Sequence, residues 1–358
     1  MAIDQKLKVM RNTRKKTSLP LVSICIPNYN NARYLNACIN SAINQTYGNV
    51  EIIFVDDNSS DTSLNIAKKY AGKIKILKNE SNIGQPQNTN KCVGLSRGKY
   101  IVILHSDDML LPDFAEKLVP LLEKNPSVGM AVGERILTDE KNKLRKIAPF
   151  YDGDYLIPGI KQAKVFMMAS FLPCQVLLQR DIFLKIGGTD SRHIVNLDGL
   201  LWFKCSLEGD IAYTQEAVSI YRIHSKQTTA QYNRTINHMM ENYITLTEMF
   251  RLGKKYAYLR KFFNEAVKRV AVITLRYCTD VIRDKNYDLA KKYLTLATVF
   301  DSKIIENHDY KVIEKCLRAP GIKRDQMIKK FISKDKLRDR GFSYSPPRGS
   351  VRIDKSLK

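Results

Sequence analysis

The sequence predicts an α/β protein with an open sheet that carries helices on both faces, followed by an α-helical C-terminal region. Two observations support this prediction. From Leu21 onward, short apolar runs alternate with helical segments, and the apolar runs are continuous, as in parallel strands that are covered on both faces. Beyond about Gln231, the glycine, proline and β-branched residues thin out and long helical windows take their place.

The predicted elements of the sheet follow one another closely. The strand VSICI precedes a helix over residues 32–44, in which Leu35, Cys38 and Ile39 share one face at the 3.6-residue period. The order continues with the strand EIIFV, a helix over residues 64–70, the strand KIKIL, a helix over residues 87–96 and the strand YIVIL. No GxGxxG motif follows the first strand, which argues against a dinucleotide-binding Rossmann domain.

Helical windows dominate the second part of the chain, over residues 238–250, 258–277, 287–299 and 310–317. The last segment, SYSPPRGSVRIDKSLK, carries proline, glycine and charge without periodicity. We therefore predict four parts: a basic N-terminal tail over residues 1–20, an α/β domain over 21–230, a helical basic region over 231–342 and a disordered tail over 343–358.

The charge balance indicates an anionic partner. The chain has 59 Lys and Arg against 36 Asp and Glu, a net charge of +23, and +16 of this excess lies between Arg251 and the C-terminus. Nucleic acid, an anionic membrane or a pyrophosphate substrate would suit such a charge. The basic residues are spread around amphipathic helices without a recognisable RNA or DNA module, so nucleic acid is not expected as a partner.

Cysteine usage and hydropathy favour a cytoplasmic protein. The seven cysteines are scattered and form no CxxC motif, which argues against a disulfide framework and against a zinc site. The basic N-terminus has no apolar signal-peptide core. The most apolar stretch, residues 165–178, is shorter than the roughly 18–20 residues of a spanning helix. Peripheral attachment to the inner face of the cell membrane stays open.

Polar clusters come directly after three of the predicted strands. They are Pro27-Asn28-Tyr29-Asn30, Asp56-Asp57-Asn58 and His105-Ser106-Asp107-Asp108. Taken alone, an Asp pair after a strand is typical of turns and helix caps. Because open α/β sheets bind ligands at the carboxyl ends of their strands, the three clusters together predict a ligand site.

The motifs, taken in order, resemble glycosyltransferase family 2. The segments VSICIPNYNNARYL and EIIFVDDNSSDTS are similar to the family's opening, and NIG with Asn90, GKYI with LHSDDMLLPD, GGTD, Asp198 four residues before Trp202, and YRIH follow in the family's order. The resemblance covers about residues 21–231. It implies a GT-A fold, which binds a nucleotide sugar, in a bacterial sugar transferase of the polysaccharide or O-antigen type.

The resemblance also assigns the nucleotide-sugar pocket to residues near the strand ends. It implies that Asp57 pairs with the base, where a carboxylate can accept an N–H of a uracil-like ring, and that Pro27 and Tyr29 line the nucleoside pocket. Gly84 would let the backbone approach the nucleotide, and Asn90 would lie on the following helix. Simple turn and cap chemistry is the alternative for both Gly84 and Asn90.

A divalent cation, Mn²⁺ or Mg²⁺, would neutralise the leaving diphosphate while keeping most of its coordination sites for phosphate and water. By resemblance, Asp107 is the first metal ligand, Asp108 orients the ligand shell beside the nucleotide sugar, and His224 completes the shell or contacts phosphate. The family usually has Asp-x-Asp here, and His105 stands at the first position. Either His105 or Ser106 contacts the ribose less directly, or the metal dependence is weaker, or His105 has no ligand role.

An inverting transfer needs one general base that takes the hydroxyl proton as the oxygen attacks the anomeric carbon. Asp198 occupies the matching position by resemblance, and it is the only carboxylate in the segment Leu197-Asp198-Gly199-Leu200. The alternative is that Asp198 merely caps a helix over residues 199–206.

Together these features predict an inverting, metal-dependent glycosyltransferase. It would move a sugar from a nucleoside-diphosphate sugar, UDP-linked by resemblance, to a hydroxyl of a glycan or a lipid-pyrophosphate-linked acceptor in cell-surface polysaccharide synthesis. In the window 258–277, Phe262, Val267 and Ile273 alternate with lysine and arginine, which would suit a helix at an anionic membrane surface or an ordinary packed helix. A catalytically weak or inactive transferase-like scaffold is the alternative function.

Overall fold

The structure is a computed structural model that describes residues 19–194, 196–228, 232, 235–334 and 344–354. Residues 1–18 of the predicted N-terminal tail lie outside this description. The strands are β1 (Val22–Asn28), β2 (Val50–Asp56), β3 (Lys75–Lys78), β4 (Tyr100–Ile103), β5 (Met109–Leu110), β6 (Val128–Thr138), β7 (Leu144–Arg145), β8 (Tyr155–Ile157), β9 (Val176–Gln179), β10 (Asp210–Arg222) and β11 (Val351–Arg352).

Helices connect these strands and then make up the C-terminal region. They are α1 (Ala32–Ile43), α2 (Ser63–Lys68), α3 (Gln85–Gly94), α4 (Phe114–Glu123), α5 (Gly159–Phe166), α6 (Arg180–Lys185), α7 (Leu197–Ser206), α8 (Asn237–Gly253), α9 (Ala257–Arg260), α10 (Phe263–Arg283), α11 (Tyr287–Phe300), α12 (His308–Arg318) and α13 (Gly321–Lys334). The third helix begins two residues earlier than the sequence pattern predicts, because Pro86 fits the first helical turn.

The strands form one mixed sheet in the order β11-β8-β10-β6-β9-β4-β1-β2-β3, with β5 added to β10 and β7 to β6. Strands β3, β2, β1 and β4 are parallel, and β9 runs antiparallel between β4 and β6. The carboxyl ends of β1, β2 and β4 therefore meet at one edge. Pro27 is tolerated in β1 because the pairing with β4 ends at Cys25, so no ladder bond from β4 is lost there.

Each face of the sheet carries its own apolar core. Successive side chains of a strand point to opposite faces, so Ile24 and Ile26 belong to one core and Cys25 to the other. Helices α1 and α4 cover the first face. The second core extends from α3 to Ile328 on α13, which means that the C-terminal helices continue the core of the α/β domain.

The apolar face of the 258–277 window is covered by protein. Helix α10 packs against α8 and α11, Val270 and Leu275 are buried, and Phe263, Val267 and Ile273 pack against the same core. The ordinary amphipathic helix is therefore the correct alternative, because an interfacial helix would need this face free. In the described parts of the chain, no helix is both long and apolar enough to cross a membrane.

The prediction of a disordered tail over residues 343–358 is wrong for residues 344–354. The Tyr344 ring stacks on Phe150 with 4.5 Å between centroids, and the Tyr344 N–H donates to the Phe150 carbonyl over 2.7 Å. Strand β11 then pairs antiparallel with β8. One aromatic anchor and an open sheet edge order this segment without any periodicity in its sequence. The rest of the predicted tail, residues 343 and 355–358, lies outside the described residues.

The seven cysteines are all buried and free. Their scattered positions in the sequence follow from their burial, since each cysteine fills the place of a small apolar side chain on a strand or helix.

Candidate functional site

The ends of β1 and β2 are fastened to each other by Asp56. Its carboxylate is fully buried and accepts hydrogen bonds from Asn28 Nδ2 (2.8 Å) and from both the backbone N–H (2.9 Å) and the hydroxyl (2.7 Å) of Ser59. Asp56 is thus a structural residue, and it fixes the backbone position of its neighbour Asp57.

Asp57 organises the turn that leads into α3. Its Oδ1 accepts from Asn79 Nδ2 (2.8 Å) and the Ile83 N–H (2.9 Å), and its Oδ2 accepts from the Gly84 N–H (2.9 Å). Gly84 has φ +85°, a conformation that favours glycine. Since each carboxylate oxygen can accept two hydrogen bonds, Oδ2 retains capacity for one more donor.

The structure separates the remaining residues that were predicted for the nucleoside. Pro27 is buried within β1, whereas Tyr29, two residues later, is 50% exposed at the strand end. Asn90 is engaged elsewhere: its amide donates to the Thr189 carbonyl and accepts from the Thr189 N–H and hydroxyl, each over 2.8 Å. Asn90 therefore ties α3 to the loop after α6.

His105 and Ser106 follow β4 and contact side chains from neighbouring segments. His105 Nε2 lies 3.2 Å from Gln85 Nε2. The imidazole of His105 therefore contacts the side chain at the start of α3. The Ser106 hydroxyl is buried and accepts from Asn31 Nδ2 over 3.0 Å.

Asp107 and His224 are brought together from positions 117 residues apart. Asp107 Oδ2 lies 3.0 Å from His224 Nε2, and the imidazole packs 4.7 Å from the ring of Tyr34. His224 Nδ1 is buried without a hydrogen-bond partner among the described residues. A carboxylate and an imidazole thus converge at the ends of β4 and β10.

Asp108 and Arg222 hold the Asp107 loop against β10. Asp108 is 1% exposed and accepts the Arg222 N–H over 2.9 Å. Burial, and then the carboxylate of Asp107, raise the pKa of Asp108 well above its ordinary value. The Arg222 guanidinium donates to the carbonyls of Asp107 and Asp139. Asp108 therefore stabilises the conformation of the Asp107 loop through its buried hydrogen bond to Arg222.

Asp198 lies in the first turn of α7, which begins at Leu197. The capping position is occupied by Asn196, so the interpretation of Asp198 as the N-cap residue is wrong. Its carboxylate makes no hydrogen bond within the described residues. Burial raises the pKa of Asp198 to about 6, and the nearby His105 partly opposes this rise. A carboxylate with such a pKa is ionised at neutral pH yet still basic.

The arrangement can accommodate a divalent cation only with help from a substrate. No group of three or more His, Cys, Asp or Glu side chains in the described part of the chain could hold a metal ion. The Asp107–His224 pair offers one carboxylate and one imidazole, a donor set that suits Mn²⁺. A cation held in this way would take its remaining ligands from phosphate and water.

Two residues at the site were not singled out from the sequence. Arg222 stands inside the YRIH segment, so the motif itself was the available signal. No signal in the sequence pointed to Gln85, because its contact with His105 depends on the turn at the start of α3, which the Gly84–Asp57 hydrogen bond stabilises.

Comparison with protein families matches residues 23–184 to glycosyl transferase family 2. An uncharacterized glycosyltransferase of Rickettsia prowazekii is 31% identical over 290 residues, covering 80% of this chain and 86% of that protein. One of Methanocaldococcus jannaschii is 28% identical over 288 residues, covering 76% of this chain and 97% of that protein.

Among solved structures, S. aureus TarS 1–349 in complex with UDP-GlcNAc matches with a TM-score of 0.54 at 14% identity, covering 84% of this chain and 91% of that one. The same fragment in complex with UDP gives a TM-score of 0.53. This likeness confirms the predicted GT-A-type open sheet with a helical C-terminal region. The shared fold, the matched domain and a relative covered over most of its length agree: the chain belongs to glycosyltransferase family 2.

Proposed function

We propose that this protein is an inverting glycosyltransferase that uses Asp198 as its general base. The observation that carries the proposal is the setting of that carboxylate: it is largely buried, it has no hydrogen bond within the described residues, and its pKa is about 6. In the proposed step, Asp198 takes the proton of the acceptor hydroxyl, the oxygen attacks the anomeric carbon, and the bond from that carbon to the diphosphate breaks.

The donor is a UDP-sugar. The S. aureus TarS fragment, which has a similar fold, was solved with UDP and with UDP-GlcNAc. In this chain the strand ends that carry Asp57 and Asp107 meet at one edge of the same type of sheet. The free capacity of Asp57 Oδ2 would accept the N–H of a uracil ring, and the exposed Tyr29 and the backbone at Gly84 would border the nucleoside. His105 would contact the ribose or the sugar.

Asp107 and His224 would hold a Mn²⁺ or Mg²⁺ ion. When bound, the ion would neutralise the negative charge that develops on the leaving diphosphate. Asp108 and Arg222 would keep the Asp107 loop in place for that contact, because both bind the backbone or side chains around it.

The acceptor is a hydroxyl of a glycan or of a lipid-pyrophosphate-linked sugar in cell-surface polysaccharide synthesis, met at the cytoplasmic face of the membrane. The net charge of +16 from Arg251 to the C-terminus supports this proposal through attraction to pyrophosphate and anionic lipid. Since the apolar face of α10 is buried, the attraction would be electrostatic and would weaken with salt.

Thermal shift followed by turnover tests the proposal. UDP and UDP-GlcNAc should raise the melting temperature with Mn²⁺ present, whereas GDP-mannose at the same concentration should raise it less, because ligand binding stabilises the folded state. The release of UDP from UDP-GlcNAc is then measured with water as the acceptor. Stabilisation without any release of UDP would favour the inactive scaffold.

A further inference from the structure

A helix of the C-terminal region contacts the loop that precedes Asp198. Helix α8 packs against α7 and presents Glu241, Thr245 and Glu248 at intervals of four and three residues, so that the three side chains share one helical face. Each of them contacts the loop of residues 190–194 and 196. The inference drawn from these contacts rests on the proposed role of Asp198 as the general base.

Glu241 makes the most direct of these contacts. Its Oε1 accepts the backbone N–H of Ile194 over 2.7 Å and that of Asn196 over 2.9 Å. Asn196 precedes the first residue of α7, where backbone N–H groups have no acceptor within the helix. A carboxylate that accepts two such N–H groups makes charge-assisted hydrogen bonds, and it fixes the backbone two residues before Asp198.

The other two contacts secure the same loop from its flanks. The buried His193 ring lies with Nδ1 2.9 Å from the Thr245 hydroxyl. Arg192 pairs with Asp190 over 2.6 Å and reaches Glu248 over 3.7 Å at the exposed rim. Both flanking contacts involve side chains, so Glu241 is the member of the face that holds the loop by its backbone.

We propose that Glu241 is a positioning residue for the transfer reaction. From helix α8, its carboxylate holds the backbone before α7 and thereby fixes the position of Asp198. A general base must lie within hydrogen-bond reach of the proton it removes, and a displacement of about 1 Å can lower a rate about 100-fold. The C-terminal helices would thus contribute to catalysis indirectly, because α8 fixes the position of the general base in the α/β domain.

The test compares Glu241→Ala and Glu241→Gln with the wild type. Turnover is the release of UDP from UDP-GlcNAc with water as the acceptor, and donor binding is the Kd of UDP by calorimetry. We expect Glu241→Ala to lower kcat by about 100-fold with the Kd of UDP unchanged. Glu241→Gln should stay within about 3-fold of the wild-type kcat, because its carbonyl oxygen can accept both N–H groups.

Glu265→Ala provides the matched control, since it removes an exposed carboxylate from α10 of the same helical region. It should leave kcat and Kd unchanged. Circular dichroism at the assay temperature must show that each variant is folded. If Glu241→Ala does not fold, Glu241→Asp, whose shorter side chain withdraws the carboxylate from both N–H groups, takes its place with the same expected loss of kcat.

Three results would overturn the inference: wild-type kcat in Glu241→Ala, equal loss of kcat in Glu241→Gln and Glu241→Ala, or a parallel loss of UDP affinity. Asp198→Asn separates this failure from that of the proposed function. If Asp198→Asn is inactive while Glu241→Ala is active, only the positioning role fails. If Asp198→Asn turns over normally, or the wild type releases no UDP, the proposed function itself fails.

Discussion

Replacing Asp198 with Asn should abolish turnover and, at neutral pH, stabilise the protein. Burial holds the proton of Asp198 in the folded state up to about pH 6, whereas in the unfolded chain it is released near pH 3.8. The folded state binds more protons over this interval, so its stability falls as the pH rises from about 3.8 through 6. At 1.36 kcal/mol for each pH unit, the ionised carboxylate costs about 3 kcal/mol at pH 7.

Asn has nearly the same size and cannot ionise, so Asp198→Asn avoids this cost. Urea unfolding at pH 7.5 should show the variant more stable than the wild type by about 3 kcal/mol, and at pH 4 the difference should shrink below about 1 kcal/mol. The wild-type rate of UDP release should fall as the pH drops below about 6, because the base becomes protonated. The Kd of UDP should be the same in both proteins.

Asp284→Asn is the control, since Asp284 is exposed after α10 and lies outside the site. It should change neither turnover nor stability by more than about 0.5 kcal/mol. Asp198 is not a buried general base if Asp198→Asn keeps wild-type turnover, or if this variant is less stable than the wild type at pH 7.5. Combined loss of UDP affinity and rate would make Asp198 a structural residue.

Three further predictions follow from the same geometry. Asp107→Ala should lower Mn²⁺-dependent UDP release at least about 100-fold with an unchanged circular dichroism spectrum; activity equal to wild type would refute the metal assignment. Asn90→Ala should reduce the unfolding free energy by about 1–3 kcal/mol, because the backbone N–H and carbonyl of Thr189 lose their partner, while UDP release by the folded protein persists. Deleting residues 344–358 should cost about 1–3 kcal/mol through the lost Tyr344 stack and β11 pairing, whereas deleting only 355–358 should cost less; equal melting temperatures would contradict this.

The strand ends could be predicted from the sequence because the sheet topology follows from local patterns. Continuous apolar runs separated by helices indicate parallel strands, and parallel strands deliver their following residues to one edge. The convergence of Asp57, His105 and Asp107 near that edge needed no knowledge of side-chain contacts. The resemblance already assigned the contact with the nucleotide base to Asp57 rather than Asp56, and packing adds the physical reason, since the Asp56 carboxylate braces the two strands.

Contacts between remote segments could not be predicted in the same way. Glu241 is 45 residues from Asn196, and its helix has an ordinary amphipathic pattern that does not show what its polar side chains contact. The order of residues 344–354 depends on the open edge of β8 and on Phe150, which are tertiary features. The apolar residues of α10 suited a membrane or a protein core equally, and only the packing against α8 and α11 decided between the two.

The most direct test of the account is the anomeric configuration of the sugar that is first released. Turnover of UDP-GlcNAc, in which the sugar is α-linked, is followed by proton NMR from the first minutes, before the free sugar equilibrates between its anomers. A single base at Asp198 that activates the attacking oxygen predicts the β-anomer as the first product, formed together with UDP and absent in Asp198→Asn. The α-anomer as the first product would contradict the single-displacement mechanism, and unchanged release by Asp198→Asn would contradict the assignment of the base.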